Sequence, residues 1–153
     1  NNENLNRLAL KIRSPLMFAH VRAAYPGMPV SEQNCHPFMF NNYLWMHNGV
    51  IAGFAKVRRR LAMMLSDEAF NAVPSLMNSD SAMAFAMFLN NLPDMDSELP
   101  SSTLLKAIEA TIATICQVTA EAGIVSDSSL LNFVVSDGHA MIATRFVSKE
   151  SDN

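Results

Sequence analysis

The feature that most constrains the fold of this chain is how its hydrophobic periodicity is distributed. Segments with apolar residues at helical spacing occupy the middle of the sequence, and segments near both ends alternate like strands. The predicted helices are 4–13, 54–65, 80–92 and 101–122. The predicted strands are 15–23, 36–40, 43–47, 130–136 and 140–146. Strands at both ends with helices between them indicate a layered fold that combines helices with a sheet.

Turn and cap residues set the limits of these elements. Asn41-Asn42 separates two short strands and predicts a hairpin, as Asp137-Gly138 does near the other end of the chain. Ser79 or Asp80 can cap the start of the second central helix, and Gly123 can end the third. We find no repeat or linker, so the pattern predicts one domain over residues 1–153.

Composition excludes several classes of protein. Of the 153 residues, 50% are hydrophobic and 16% are charged, which is typical of a folded domain rather than a disordered chain. No apolar run approaches the roughly 20 residues that span a bilayer, and no secretory signal is visible. A net charge of −3 gives no reason to expect nucleic acid. We therefore expect a soluble, cytoplasmic protein without a disulfide framework or membrane partner.

Arg22 is the first residue that indicates chemistry. Strand alternation places Phe18, His20 and Arg22 on one face of a mostly apolar segment. A guanidinium there is costly unless a carboxylate faces it. That carboxylate can belong to an Asp or Glu of the same chain, in a structural ion pair. It can also belong to a ligand, which the fork of an arginine suits well.

Asn48-Gly49 and Asp80 also have two interpretations each. An Asn-Gly pair usually forms a tight turn, but its side-chain amide and backbone N–H can also stabilise an oxyanion. Asp80 begins a helix-like segment and can be a simple cap, or its carboxylate can receive a ligand ammonium group. The residues alone leave both alternatives open.

Other reactive residue types do not form a convincing site. The sequence from Ser136 to His139 contains residue types of a catalytic triad, but a turn holds them too close together. Cys35 and His36 are adjacent, so in an extended chain their side chains point apart. The four histidines lack metal-ligand spacing, and we expect no metal or other cofactor.

Four blocks in order carry a family resemblance: FAHVRAA (18–24), SEQNCHPF (31–38), LWMHNGVIAGF (44–54) and NSDSAMAFAMFL (78–89). Together they resemble class II glutamine amidotransferases, whose nucleophile is an N-terminal residue. The most similar branch includes the amidotransferase-like subunit of a cytosolic glutathione-degrading complex. The resemblance covers the chain from about Asn4 to Phe146.

The resemblance implies a fold and a set of roles. The fold is an α+β, four-layer αββα sandwich of two antiparallel sheets, of which this chain would be the central portion. Arg22 would hold the α-carboxylate of glutamine, and Asp80 would receive its α-amino group. Asn48 and Gly49 would form the oxyanion hole. These roles coincide with the ligand-binding interpretations of the same residues.

Two departures and one missing residue qualify the resemblance. Family members usually have Glu where Ala82 stands, and many have Thr near the position of Tyr25. Their nucleophile is an N-terminal cysteine several dozen residues before the arginine, with its own amine as base. The chain as given begins too close to Arg22 to include that cysteine or the first strand, so we expect either a longer polypeptide or association with the remainder. Without that cysteine, the chain as given is expected to be inactive.

Two functions follow as hypotheses. The first is hydrolysis of glutamine or a γ-glutamyl amide, with a peptidase or synthase subunit as the kind of partner the family suggests. The alternative is a non-catalytic subunit that keeps the amidotransferase fold for assembly. Ala82, Tyr25 and the absence of the nucleophilic cysteine from the chain as given favour the alternative. The joint presence of Arg22, the Asn48-Gly49 pair and Asp80 favours the enzyme.

Overall fold

The computed structural model describes residues 2–21, 32–74, 76–124 and 126–149, apart from the side chain of Gln33. The helices are α1 Glu3–Lys11, α2 Phe54–Ala62, α3 Asp67–Ala72, α4 Asp80–Asn90 and α5 Ser101–Glu121, with a 3-10 turn at Glu32–Asn34. The strands are β1 Phe38–Phe40, β2 Tyr43–Val50, β3 Leu130–Ser136 and β4 Met141–Ala143. They form one antiparallel sheet in the order β1-β2-β3-β4.

Side-chain alternation gives the sheet one face towards the helices. On β2, Tyr43, Trp45 and His47 are buried on that face, whereas Leu44 and Met46 between them are only half-buried. Strand β3 alternates in the same way. The helical layer packs on this face, with α4 against β2 and α2 and α5 against α4. One sheet and one helical layer therefore enclose the core.

Helix α4 lies at the centre of that core. Its N-cap is Ser79, whose side chain accepts a hydrogen bond from the backbone N–H of Ala82. Every residue from Ser81 to Leu89 is buried. The ring of Phe85 stacks on Trp45 at 5.7 Å between centroids, which attaches the helix to the middle of β2. This packing fixes where α4 begins.

Most elements predicted from the sequence are confirmed. The helices α1, α2, α4 and α5 and the strand β3 lie within a few residues of their predicted limits. The hairpin at Asn41-Asn42 joins β1 to β2, and Gly123, with φ of 69°, follows the end of α5. Helix α3 was not predicted, because six residues are too few to show a helical period.

Two predicted strands are wrong in part. Residues 15–21, the described part of the first one, belong to no strand. Their burial does alternate, since Phe18 and His20 are half-buried and Ala19 and Val21 are exposed. A strand also needs a hydrogen-bonded neighbour, and among the described residues this segment pairs with none of the four strands above. The last predicted strand is only Met141–Ala143, followed by an isolated bridge to Val147.

The fold class is confirmed as mixed α+β with an antiparallel sheet. Within the ranges that the structure describes, a second sheet is not seen, so the four-layer sandwich stays a prediction. None of the helices in those ranges combines the length and apolar character needed to cross a bilayer.

The packing of α4 predicts a large effect of truncation at Phe85. Phe85→Ala should lower the free energy of unfolding by about 3–5 kcal/mol, because it leaves a cavity against Trp45. Phe70→Ala on α3 is the matched control, and since Phe70 is 41% exposed its loss should be about 1 kcal/mol or less. Urea unfolding followed by circular dichroism measures both. Equal losses would contradict a core centred on α4.

Candidate functional site

The Asn48-Gly49 pair lies inside β2 and not in a turn. Asn48 pairs with Asn132 and Gly49 with Leu131 in the antiparallel ladder with β3. The turn interpretation of this dipeptide is therefore wrong, because cross-strand pairing extends β2 three residues beyond the predicted end at His47. Both residues are exposed, so they are accessible to a ligand at this end of the sheet.

Gly49 stands where no side chain fits. Its φ is 154°, and a Cβ built there would lie 1.9 Å from the carbonyl oxygen of Leu130 and 2.9 Å from His47 Nε2. A contact of 1.9 Å with backbone cannot be relieved by rotating a side chain. The glycine is thus required for the close approach of β2 and β3 at this point.

Asp80 faces the end of β2 from the start of α4. Its Oδ2 accepts a hydrogen bond of 3.0 Å from the backbone N–H of Ile51, two residues beyond Gly49. Its Oδ1 accepts one of 2.8 Å from the N–H of Ser81. Ser79, not Asp80, is the N-cap, which decides between the two predicted capping residues. Asp80 is half-buried, and its Oδ2 keeps a lone pair for a further donor.

His47 is a member of this site that the sequence did not single out. It is 3% exposed, and its ring lies 4.9 Å from that of Phe133. Nδ1 is 3.0 Å from Ser81 Oγ, and Nε2 is 2.9 Å from the carbonyl oxygen of Leu130. The alternation of β2 is the one sequence signal that could have indicated its burial.

Burial lowers the pKa of His47 below its ordinary value of 6.5. The hydrogen bond to Leu130 and the carboxylate of Asp80 oppose this shift, and the nearby ring of His20 adds to it. The net direction keeps the imidazole neutral at physiological pH.

Arg22 and Tyr25 lie outside the described residues, so the predicted carboxylate-binding role of Arg22 stays a prediction. His20, near the start of the same sequence block, is half-buried, and its ring centroid is 4.3 Å from that of His36. Both ring nitrogens of His20 are buried and lack a hydrogen-bond partner among the described residues. His20 also influences the pKa of His47, which places it close to the site.

The segment from Ser136 to His139, set aside from the sequence as a possible triad, forms a turn. Asp137 Oδ1 accepts hydrogen bonds from the backbone N–H groups of His139 and Ala140, as expected for a turn. Burial raises the pKa of the Cys116 thiol, which makes it a poorer nucleophile. In the described ranges, no group of three or more His, Cys, Asp or Glu side chains could hold a metal ion.

The chain matches a known family over nearly its whole length. Residues 4–149 match the family described as glutamine amidotransferases class-II, and the chain belongs to this family. The predicted family resemblance is therefore confirmed.

Two proteins illustrate the similarity. The chain is 38% identical over 162 residues to the probable glutamine amidotransferase DUG3 of Saccharomyces cerevisiae, covering 99% of this chain and 44% of DUG3. It also resembles the structure of a glutamine aminotransferase class-II domain protein from Silicibacter pomeroyi. That match has a TM-score of 0.71 and 26% identity, and covers 99% of this chain and 61% of the other. The chain thus spans less than half the length of the curated relative.

The contact at Gly49 predicts a steric effect. Gly49→Ala should lower the free energy of unfolding by about 2 kcal/mol or more, because β2 and β3 must separate to admit the methyl group. Gly123→Ala is the control for backbone strain alone, since its φ is 69° and a Cβ there meets nothing within 4 Å. Its loss should be about 1 kcal/mol. Thermal or urea unfolding compares the two, and a smaller loss at Gly49 would contradict the close approach.

The lowered pKa of His47 predicts an acid-dependent loss of stability. Below pH 6.5 the unfolded chain binds a proton at this residue that the folded chain does not. The free energy of unfolding should therefore fall as the pH drops from 6.5 towards the lower folded pKa, by at most about 1.4 kcal/mol per pH unit. His47→Gln should remove this part of the slope. His139→Gln, at an exposed histidine, is the control and should retain it.

Proposed function

We propose that this chain is the substrate-pocket portion of an enzyme that hydrolyses the side-chain amide of glutamine or of a γ-glutamyl compound. One observation carries the proposal. The hydrogen bond from the backbone N–H of Ile51 holds Asp80 close to the end of β2 that carries Asn48 and Gly49. An anion at the start of α4 beside two candidate oxyanion donors suits an amino-acid head group whose amide lies at the strand end.

Each residue has a role in this proposal. Asp80 receives the α-ammonium group of the substrate, and Arg22 binds its α-carboxylate through two parallel hydrogen bonds. The amide of Asn48 and the backbone N–H of Gly49 stabilise the oxygen of the tetrahedral intermediate. Family membership supports these roles, since class II members use the corresponding residues of these sequence blocks.

The chemistry proposed is acyl transfer through a thioester. An N-terminal cysteine of the full-length protein attacks the amide carbon, and its own α-amine takes the thiol proton. That proton then goes to the leaving nitrogen as the C–N bond breaks, so ammonia or an amine departs. Water hydrolyses the γ-glutamyl thioester and regenerates the thiol. The family resemblance suggests glutamine or a γ-glutamyl compound as the substrate, and a peptidase or synthase subunit as the kind of partner.

We also propose that the described sheet is one of two in an αββα sandwich. Its face opposite the helices is rich in exposed apolar side chains, among them Met39 at 70% and Met141 at 58% exposure. Val50 and Leu130 on the same face are 44% and 38% exposed. A second sheet packed there would remove this apolar surface from water.

Ligand-dependent stability of the full-length protein tests the pocket. Glutamine at about 100 times its Kd should stabilise the wild type by about 2.7 kcal/mol. Arg22→Ala and Asp80→Asn should abolish most of this shift, because each removes the charge that holds one end of the head group. Arg60→Ala, which loses only a surface ion pair with Glu121, is the matched control and should respond like the wild type.

Glutamate release from glutamine then separates the two functions. Hydrolysis that is lost in Arg22→Ala and kept in Arg60→Ala supports the enzyme. Binding without hydrolysis supports the non-catalytic subunit, which the replacement of the usual family Glu by the buried Ala82 favours. No glutamine or γ-glutamyl binding at all would refute the pocket.

A further inference from the structure

Two hydrogen bonds connect α4 to the end of β2 that carries the Asn48-Gly49 pair. On one side of the pair, His47 Nδ1 lies 3.0 Å from Ser81 Oγ. On the other side, the backbone N–H of Ile51 donates to Asp80 Oδ2 at 3.0 Å. The pair therefore lies between two anchored residues, His47 and Ile51. Their hydrogen-bond partners, Ser81 and Asp80, are the first two residues of α4.

The partners of His47 determine which nitrogen carries its hydrogen. The carbonyl oxygen of Leu130 can only accept, so Nε2 must donate to it across the 2.9 Å contact. In a neutral ring Nδ1 then has a lone pair, and it accepts the hydroxyl hydrogen of Ser81 at 3.0 Å, a shorter contact than the 3.5 Å from that hydroxyl to Asp80 Oδ1. Both ring nitrogens are satisfied only in this tautomer.

The contact with Leu130 lies at the most crowded point of the site. The Leu130 oxygen is the atom closest to where a side chain on Gly49 would stand, and His47 Nε2 is also within 3 Å of that position. The imidazole therefore holds the carbonyl group against which the Gly49 backbone packs. The Nδ1 atom of the same ring contacts Ser81, the residue that follows Asp80.

We propose that His47 and Ser81 are positioning residues that set the geometry between the Asn48-Gly49 pair and Asp80. The proposal rests on the proposed function, because it assumes that this pair and this carboxylate bind the two ends of one substrate. The Nε2 contact sets the position of the end of β2, and therefore the position of the oxyanion donors on it. The Nδ1 contact sets the position of the start of α4, and therefore the position of the Asp80 carboxylate that receives the ammonium group.

Two amide substitutions separate these contacts. The amide of His47→Gln reaches about as far as Nε2, so this variant keeps a donor to Leu130 and loses the partner of Ser81. The amide of His47→Asn reaches about as far as Nδ1, so this variant keeps the contact with Ser81 and loses the one to Leu130. Ser81→Ala removes the contact between Nδ1 and Ser81 without changing His47, because it deletes only the hydroxyl.

Steady-state glutamine hydrolysis by the full-length protein is the measurement. His47→Gln and Ser81→Ala should each raise KM by about 3- to 10-fold, as expected for one lost hydrogen bond, with kcat nearly unchanged. The double variant should be no worse than either single one, because both changes remove the same contact. His47→Asn should instead lower kcat by about 10-fold or more, because the oxyanion donors lose their support.

Thr111→Val is the control for simple destabilisation. Thr111 is fully buried on α5 and bonds the carbonyl of Ala107 and the amide of Asn91, away from the site. It should lower the melting temperature and leave kcat and KM unchanged. If the His47 and Ser81 variants behave in the same way, the positioning role is refuted. The positioning role is also refuted if the effects of the two single variants multiply in the double variant. If the His47 variants do not fold, the kinetics of Ser81→Ala alone test the role.

A second readout does not depend on turnover. The ring nitrogens of His47 in the 15N-labelled protein should give the signals of the neutral form with hydrogen on Nε2 at pH 7, and Ser81→Ala should shift Nδ1. The opposite tautomer overturns the inference even in an active enzyme. A wild-type protein that neither binds nor hydrolyses glutamine or γ-glutamyl compounds overturns the proposed function, and the inference with it. Wild-type turnover with kinetically unchanged variants overturns the inference alone.

Discussion

The burial of α4 is the constraint on which the rest of the structure depends. Nine consecutive residues, Ser81 to Leu89, are removed from water, so this helix needs neighbours on every side. Helices α2, α3 and α5 and the strand β2 supply them. Because apolar side chains fill the space around it to high density, α4 cannot shift along its axis without opening cavities. Hydrophobic packing therefore places its first residue, Asp80, along the helix axis, and the polar contacts at the helix start complete its position relative to β2.

The polar groups at the start of α4 then complete what the packing begins. Asp80, Ser81 and His47 lie where the core meets the exposed end of β2, and each has a hydrogen-bond partner across that boundary. In a partly desolvated site such contacts are stronger than in water, and losing one partner leaves the other unsatisfied. The arrangement is stable because both ring nitrogens of His47, the Ser81 hydroxyl and both Asp80 oxygens are hydrogen-bonded. The same matching holds the candidate site in a single geometry.

The sequence predicts the parts of this structure that depend on local pattern. The stripes of α2 and α5 and the alternation of β3 can be recognised because their periods lie within one segment. The extension of β2 through Asn48 and Gly49 depends on β3, more than 80 residues away, and so a local turn signal is misleading there. His47 was missed for a related reason. Its partners Ser81 and Leu130 are 34 and 83 positions away, and nothing in its neighbourhood indicates them.

The replacement of the usual family Glu by Ala82 can now be judged from the helix start. A Glu at the third helical position would complete a capping box by bonding the N-cap backbone. Ala82 cannot do so, but its own N–H still donates to Ser79 Oγ, since that bond needs no side chain at position 82. Ala82 is also fully buried, where an unpaired carboxylate would be costly. The cap and the bond from Ile51 both remain, so the departure leaves the position of Asp80 intact.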